Sequence, residues 1–137
     1  MAVRSKRLEF TASVDRSGAM RAEGGAPVRT PEGWTPDHLL LAALARCSLG
    51  SLRHHARRAG LALEGAGAAH GLFARREEDG RYALVELECG LDVELDPAPE
   101  GEALTELLDL AERDCFVGAS LTVKTRYEWR VNGQLAR

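Results

Sequence analysis

Apolar residues fall at every second position early in the chain, at Leu8, Phe10, Ala12 and Val14, with polar residues between them. That period of two is the signature of a strand with one buried face. Asp15-Arg16-Ser17-Gly18 then supplies turn chemistry, and the pattern predicts a first hairpin that resumes at Ala19. Gly24-Gly25 with Pro27, and then Pro31-Glu32-Gly33, mark two further turns, so the opening third reads as short strands and loops.

At Thr35 the period changes. Thr35 can cap a helix, Pro36 suits its first position and Asp37 places an acid in its first turn. The helix is expected to run to about Ala59, with Gly60 in the left-handed position that ends it. Every residue from Leu39 to Ala45 is apolar, which predicts a central helix covered on nearly all sides. Leu61 to Arg76 is a weaker strand, diluted by Gly65, Gly67 and Gly71, and Glu78-Asp79-Gly80 turns the chain into the next one. From Val85 to Leu95 the odd positions are apolar or Cys and the even ones polar or Gly, the pattern of a half-buried strand. Pro97 and Pro99 close it. A second helix follows with Leu104, Leu107, Leu108 and Ala111 on one stripe, which Cys115 extends. A last strand alternates from Ser120 to Val131. This order of strands, helix, long hairpin, helix and strand predicts an α+β domain with largely antiparallel sheets and two central helices.

With 137 residues, 45% of them hydrophobic, the chain is expected to form one domain, residues 1–137, able to bury a core without disulfide staples. The basic opening Met1–Arg7 is not followed by an apolar run of the signal-peptide kind, which predicts a cytoplasmic protein. The longest wholly apolar run, Leu39 to Ala45, falls far short of the roughly 18 residues of a membrane span, so no membrane association is expected. Net charge is -3, and the segment Glu86–Glu112 contains no Lys or Arg. No basic face gathers along the chain, and nucleic acid is not an expected partner.

Cys47 and Cys115 each end an apolar helical stripe, and both helices are expected to face one core. Paired thiols of this kind suit peroxide reduction, because one can become a sulfenic acid and the other can condense with it to a disulfide. Cys89, mid-strand between Leu87 and Leu91, reads as packing. A nucleophilic thiol needs a neighbouring cation. Arg46 sits about 100° around the helix from Cys47, and Arg16 in the first turn is a freer candidate. His38, His54, His55 and His70 show no short metal-binding spacing with the cysteines, so no metal and no bound cofactor are expected. No Gly-x-Ser-x-Gly elbow or phosphate loop occurs.

The segment Thr35 to Cys47 resembles the signature of the OsmC/Ohr family (osmotically inducible protein C and organic hydroperoxide resistance protein), in which an acid after Pro stands ten residues before the peroxidatic Cys. Cys115-Phe116-Val117-Gly118 stands where the family carries Cys-Pro-Val-Ser with its resolving Cys, so Phe116 and Gly118 are departures. Asp15-Arg16-Ser17-Gly18 resembles the turn bearing the family's catalytic Arg, and Asp37 takes the place of the Glu that orients it. The resemblance implies an OsmC-like fold in an intertwined homodimer. It implies a thiol peroxidase for organic hydroperoxides in which Cys47 attacks, Arg16 steadies the charge and Cys115 resolves. Ten residues along one helix span about 15 Å, so Asp37 is expected to reach the partner subunit's site. The implied reductant is a dithiol such as a dihydrolipoyl protein. A small-hydrophobe binding protein and a redox sensor without efficient turnover are the alternative readings.

Overall fold

The computed structural model describes residues 6–137, and the basic segment Met1–Ser5 lies outside the described residues. The chain divides into two compact units, Met1–Thr35 and Pro36–Arg137. In the first, β1 (Ala12–Val14) pairs antiparallel with β2 (Met20–Ala22). The Asp15 carboxylate holds the turn, accepting from the Ser17 amide at 2.8 Å, the Ser17 hydroxyl at 2.7 Å and the Ala19 amide at 3.0 Å. The expected hairpin is present with a shorter first strand. Leu8 and Phe10 precede the ladder, and both, with Val14, are exposed.

The second unit contains α1 (Pro36–Arg58), β3 (Ala62–Arg75), β4 (Tyr82–Asp96), α2 (Gly101–Arg113), α3 (Phe116–Ser120), β5 (Arg126–Val131) and β6 (Gln134–Leu135). Its four strands lie in the order β3-β4-β5-β6. The β3–β4 and β5–β6 pairs are antiparallel, while β4–β5 is parallel. A parallel neighbour requires a long crossover, which residues 97–125 provide through α2 and α3. Helix α1 packs on β3 and β4 and against α2 and α3. It stops where expected: Gly60 adopts φ +78, and the Leu61 amide donates to the Ala56 carbonyl at 2.8 Å. The core joins Leu44, Leu52 and Ala56 of α1 to the odd positions of β4, to Leu107, Leu108 and Ala111 of α2, and to Trp129 and Val131 of β5. No described helix is long and apolar enough to cross a membrane.

Three expectations require correction. Helix α1 is not covered all round within one chain; it buries the single stripe Leu44, Ala45, Ser48, Leu52 and Ala56. Helix α2 ends at Arg113 with Asp114 as its cap, so Cys115 starts α3 instead of prolonging the α2 stripe. The last strand begins at Arg126, not Ser120. Residues 121 to 125 keep the alternation of burial but form no ladder.

The glycines of β3 have a steric cause. A Cβ at Gly65 would lie 2.7 Å from the Asp92 carbonyl oxygen and 2.8 Å from the Val93 Cα. Gly65→Ala is therefore expected to cost about 1–3 kcal/mol through overpacking, read as a lower midpoint in chemical denaturation. A wild-type midpoint would mean that the two strands separate freely there.

Candidate active site

Helix α1 and the segment after α2 meet at sulfur. Cys47 is half-buried on α1, and Cys115 is fully buried at the start of α3. All three cysteines are free thiols. The Cys47 sulfur faces the backbone N–H groups of Phe116 and Val117 and interacts with the Cys115 thiol. Burial pushes the Cys47 thiol up from its ordinary value, the Val117 and Phe116 amides pull it down, and the Cys115 thiol pushes it up again, leaving it raised. Two thiols from different elements thus stand against each other, with backbone donors aimed at the more accessible one.

Beside Cys47 opens a pocket of about 450 Å³ lined by Cys47, Gly50, Ser51, His54, Asp114 and Phe116. Gly50 has no side chain to fill this space, and the exposed Phe116 ring forms a wall. Ser51 and Asp114 bind the two sides together. The Ser51 hydroxyl donates to the Ala111 carbonyl at 2.8 Å, and Asp114 Oδ2 pairs with His55 Nε2 at 2.8 Å. A larger groove of about 560 Å³, between the end of α1 and α2, contains no thiol.

On the Cys115 side the Ser48 hydroxyl donates to Cys115 Sγ at 3.6 Å, lies 3.1 Å from the Tyr127 hydroxyl and accepts from the Cys89 thiol at 3.9 Å. The Gly118 amide also donates to Cys115 Sγ, at 3.4 Å.

The family model for OsmC-like protein matches residues 29–130, a span that includes both thiols and the helix between the acid and Cys47. The chain belongs to this family. An OsmC-like protein from Mycoplasma pneumoniae is 19% identical with a TM-score of 0.68, and the match covers 93% of this chain and 99% of that one. The organic hydroperoxide resistance protein OhrB of Bacillus subtilis is 22% identical with a TM-score of 0.57, over 89% of this chain and 96% of that one. An organic hydroperoxide resistance protein from Elizabethkingia anophelis is 17% identical with a TM-score of 0.64, over 94% and 100%. At such identities the likeness speaks to the fold. No curated protein matches the sequence.

In this OsmC-like chain the four sequence-derived residues are placed unequally. Cys47 and Cys115 come together. Asp37 is exposed in the first turn of α1, about 15 Å along the same helix from Cys47, so one chain does not bring both to one point. Arg16 is exposed in the turn between β1 and β2, within the first unit. Among the described residues no group of three or more His, Cys, Asp or Glu is arranged to hold a metal ion.

Sequence reading missed Ser48, Tyr127, Asp114 and the Phe116 wall as neighbours of the thiols. His54, seven residues after Cys47 on α1, lines the same pocket.

Asp114, the residue before Cys115, also provides a pH test. Arg113 grips its carboxylate with two hydrogen bonds, at 2.8 and 3.0 Å, and His55 adds a third. Arg113 and then His55 lower its pKa to about 2. The folded state thus favours the ionised form, and the stabilisation is complete above the ordinary value of 3.8 and lost as pH falls toward about 2. Solvent screening holds it to about 1 kcal/mol or less. Melting curves of wild type and Asp114→Asn are expected to differ by a few degrees at neutral pH and to converge near pH 2. A gap that stayed constant with pH would overturn the ionic origin.

Proposed function

We propose that this OsmC-like chain is a thiol-dependent peroxidase for organic hydroperoxides, with Cys47 as the attacking thiol and Cys115 as the resolving one. The observation that carries the reading is the facing pair of free thiols, of which Cys47 lines a pocket and Cys115 lies buried behind it. The Cys47 thiolate attacks the terminal oxygen of the hydroperoxide. A sulfur–oxygen bond forms, the oxygen–oxygen bond breaks, and the alkoxide leaves and takes up a proton to become the alcohol. The Cys115 sulfur then displaces water from the Cys47 sulfenic acid to give a disulfide. A dithiol, such as a dihydrolipoyl protein, returns both thiols by exchange.

Burial alone disfavours the Cys47 thiolate, so the reaction requires a cation, and Arg16 is assigned that role. The protein works as a homodimer in which Asp37 serves the partner subunit's site and orients that Arg. The dimer also explains the half of α1 that one chain leaves open, and the exposed Leu8, Phe10 and Val14. The Phe116 wall rewards an organic tail on the peroxide, so aryl and lipid-like hydroperoxides are preferred to hydrogen peroxide.

Reduced protein treated with one equivalent of cumene hydroperoxide is expected to lose two thiols and two hydrogens in intact mass, with a Cys47–Cys115 peptide link. Unchanged thiols would overturn the reading and assign the pocket to ligand binding. Equal rates with hydrogen peroxide would remove the preference for an organic tail.

A further inference from the structure

Ser48 is the one polar side chain among the fully buried described residues, and it follows Cys47 on α1. A hydroxyl has one proton and two lone pairs, and here it meets three polar partners. Its oxygen lies 3.6 Å from Cys115 Sγ, 3.9 Å from the thiol of Cys89 and 3.1 Å from the hydroxyl of Tyr127, and in the last pair either oxygen can donate. The Cys89 thiol suits a donor role, because burial pushes its pKa up to about 11 and keeps its proton in place. The hydroxyl is held among these three partners, with its oxygen 3.6 Å from the sulfur of Cys115. A buried network of this kind is rigid. Gly118 supplies a second donor to the same sulfur.

We propose that Ser48 is a positioning residue for the resolving step, turning the Cys115 sulfur toward Cys47 and holding the charge that builds on it as its proton leaves. The inference rests on the peroxidase reading. In that step the sulfur–sulfur bond forms and the sulfur–oxygen bond of the Cys47 sulfenic acid breaks. Cys47 is reduced and Cys115 is oxidised. The Cys115 proton ends on the departing hydroxide as water. Cys115 is fully buried, so solvent cannot supply the donors that a developing thiolate requires. Ser48 and Gly118 supply them and leave a sulfur lone pair for Cys47. Tyr127 fixes Ser48 and also interacts with the Cys115 thiol directly.

The test separates the two chemical steps in the full-length protein with cumene hydroperoxide in single turnover. Peroxide consumption reports the first step. Disulfide mass, together with dimedone capture of the sulfenic acid, reports the second. Ser48→Ala is expected to consume peroxide within about threefold of the wild-type rate but to form the disulfide about tenfold more slowly, with dimedone-labelled Cys47 accumulating. Ser48→Thr, which restores a hydroxyl, is expected to recover most of the second rate. Wild-type kinetics in both steps of Ser48→Ala, or equal slowing of both, would overturn the proposal while leaving the peroxidase reading intact. A wild-type protein that never loses its thiols would instead overturn the peroxidase reading itself. If Ser48→Ala does not fold, Tyr127→Phe decides, with slowing of about threefold expected in the second step alone and unchanged kinetics overturning the idea.

Discussion

Cys47→Ser is expected to lower the rate of cumene hydroperoxide consumption by at least about 10³-fold, the scale on which an enzyme loses its nucleophile. A serine hydroxyl is not ionised at neutral pH, and its oxygen cannot accept a second oxygen as sulfur does, so both attack and oxidation are lost. The substitution replaces a half-buried sulfur by a smaller polar atom beside the Phe116 and Val117 amides, so the fold should persist and the loss should appear in chemistry. Cys115→Ser separates the roles. It is expected to consume one equivalent of peroxide, gain one oxygen on Cys47 and stop, because the sulfenic acid has no thiol facing it. Turnover in Cys47→Ser close to wild type would move the nucleophile to Cys115 or Cys89. Those thiols are buried, which makes Cys47, open to the pocket, the one a hydroperoxide can reach.

The elements that carry this chemistry were legible to different degrees, and the differences are physical. Thr35-Pro36-Asp37 and Gly60 bracketed α1 correctly because caps and left-handed stops are local signals. The period of two in β4 placed Leu87, Cys89, Leu91, Val93 and Leu95 in the core, as observed. Helix α3 carried no such signal, since five residues contain little more than one turn and its start is fixed by the Gly118 amide on a sulfur. The parallel β4–β5 pairing was equally invisible, because it depends on where a crossover lands and not on periodicity. The apolar run Leu39–Ala45 was read as fully covered, yet one chain covers a single stripe. Composition registers that a run is apolar and not how much of it one chain covers. Cys47 was found because it packs beside the buried stripe of α1, and Cys115 because the core buries it, although it starts α3 instead of extending the α2 stripe from which it was read. Ser48 was missed because a lone serine in an apolar helix has the same sequence signature whether it faces solvent or three polar partners.

Trp129→Ala is expected to cost about 3–5 kcal/mol, the usual range for removing a large buried aromatic, and to lower Tm by about 10 °C or more. Trp129 is fully buried on β5, paired in register with Leu91 of β4, and its indole N–H donates to Glu112 Oε2 at 2.9 Å. Removing the ring leaves a cavity between sheet and α2 and takes a donor from Glu112, which Arg137 still holds at 2.7 Å. The residual ion pair limits the polar share of the loss, so most of it should come from packing. Trp129→Phe, which keeps a ring and loses the N–H, is expected to lose about 1–2 kcal/mol, between cavity relief and one hydrogen bond to a charged group. Circular dichroism is the appropriate readout, because the remaining tryptophan, Trp34, is 47% exposed and lies in the first unit. Midpoints must be compared at equal protein concentration, since any self-association adds to apparent stability. The substitution also reaches the thiols. Trp129 stacks on Tyr127 with ring centres 5.7 Å apart, and Tyr127 fixes Ser48, which touches Cys115. At temperatures where Trp129→Ala remains folded, disulfide formation should therefore slow more than peroxide consumption. Equal rates would show that Tyr127 holds its place without the stack.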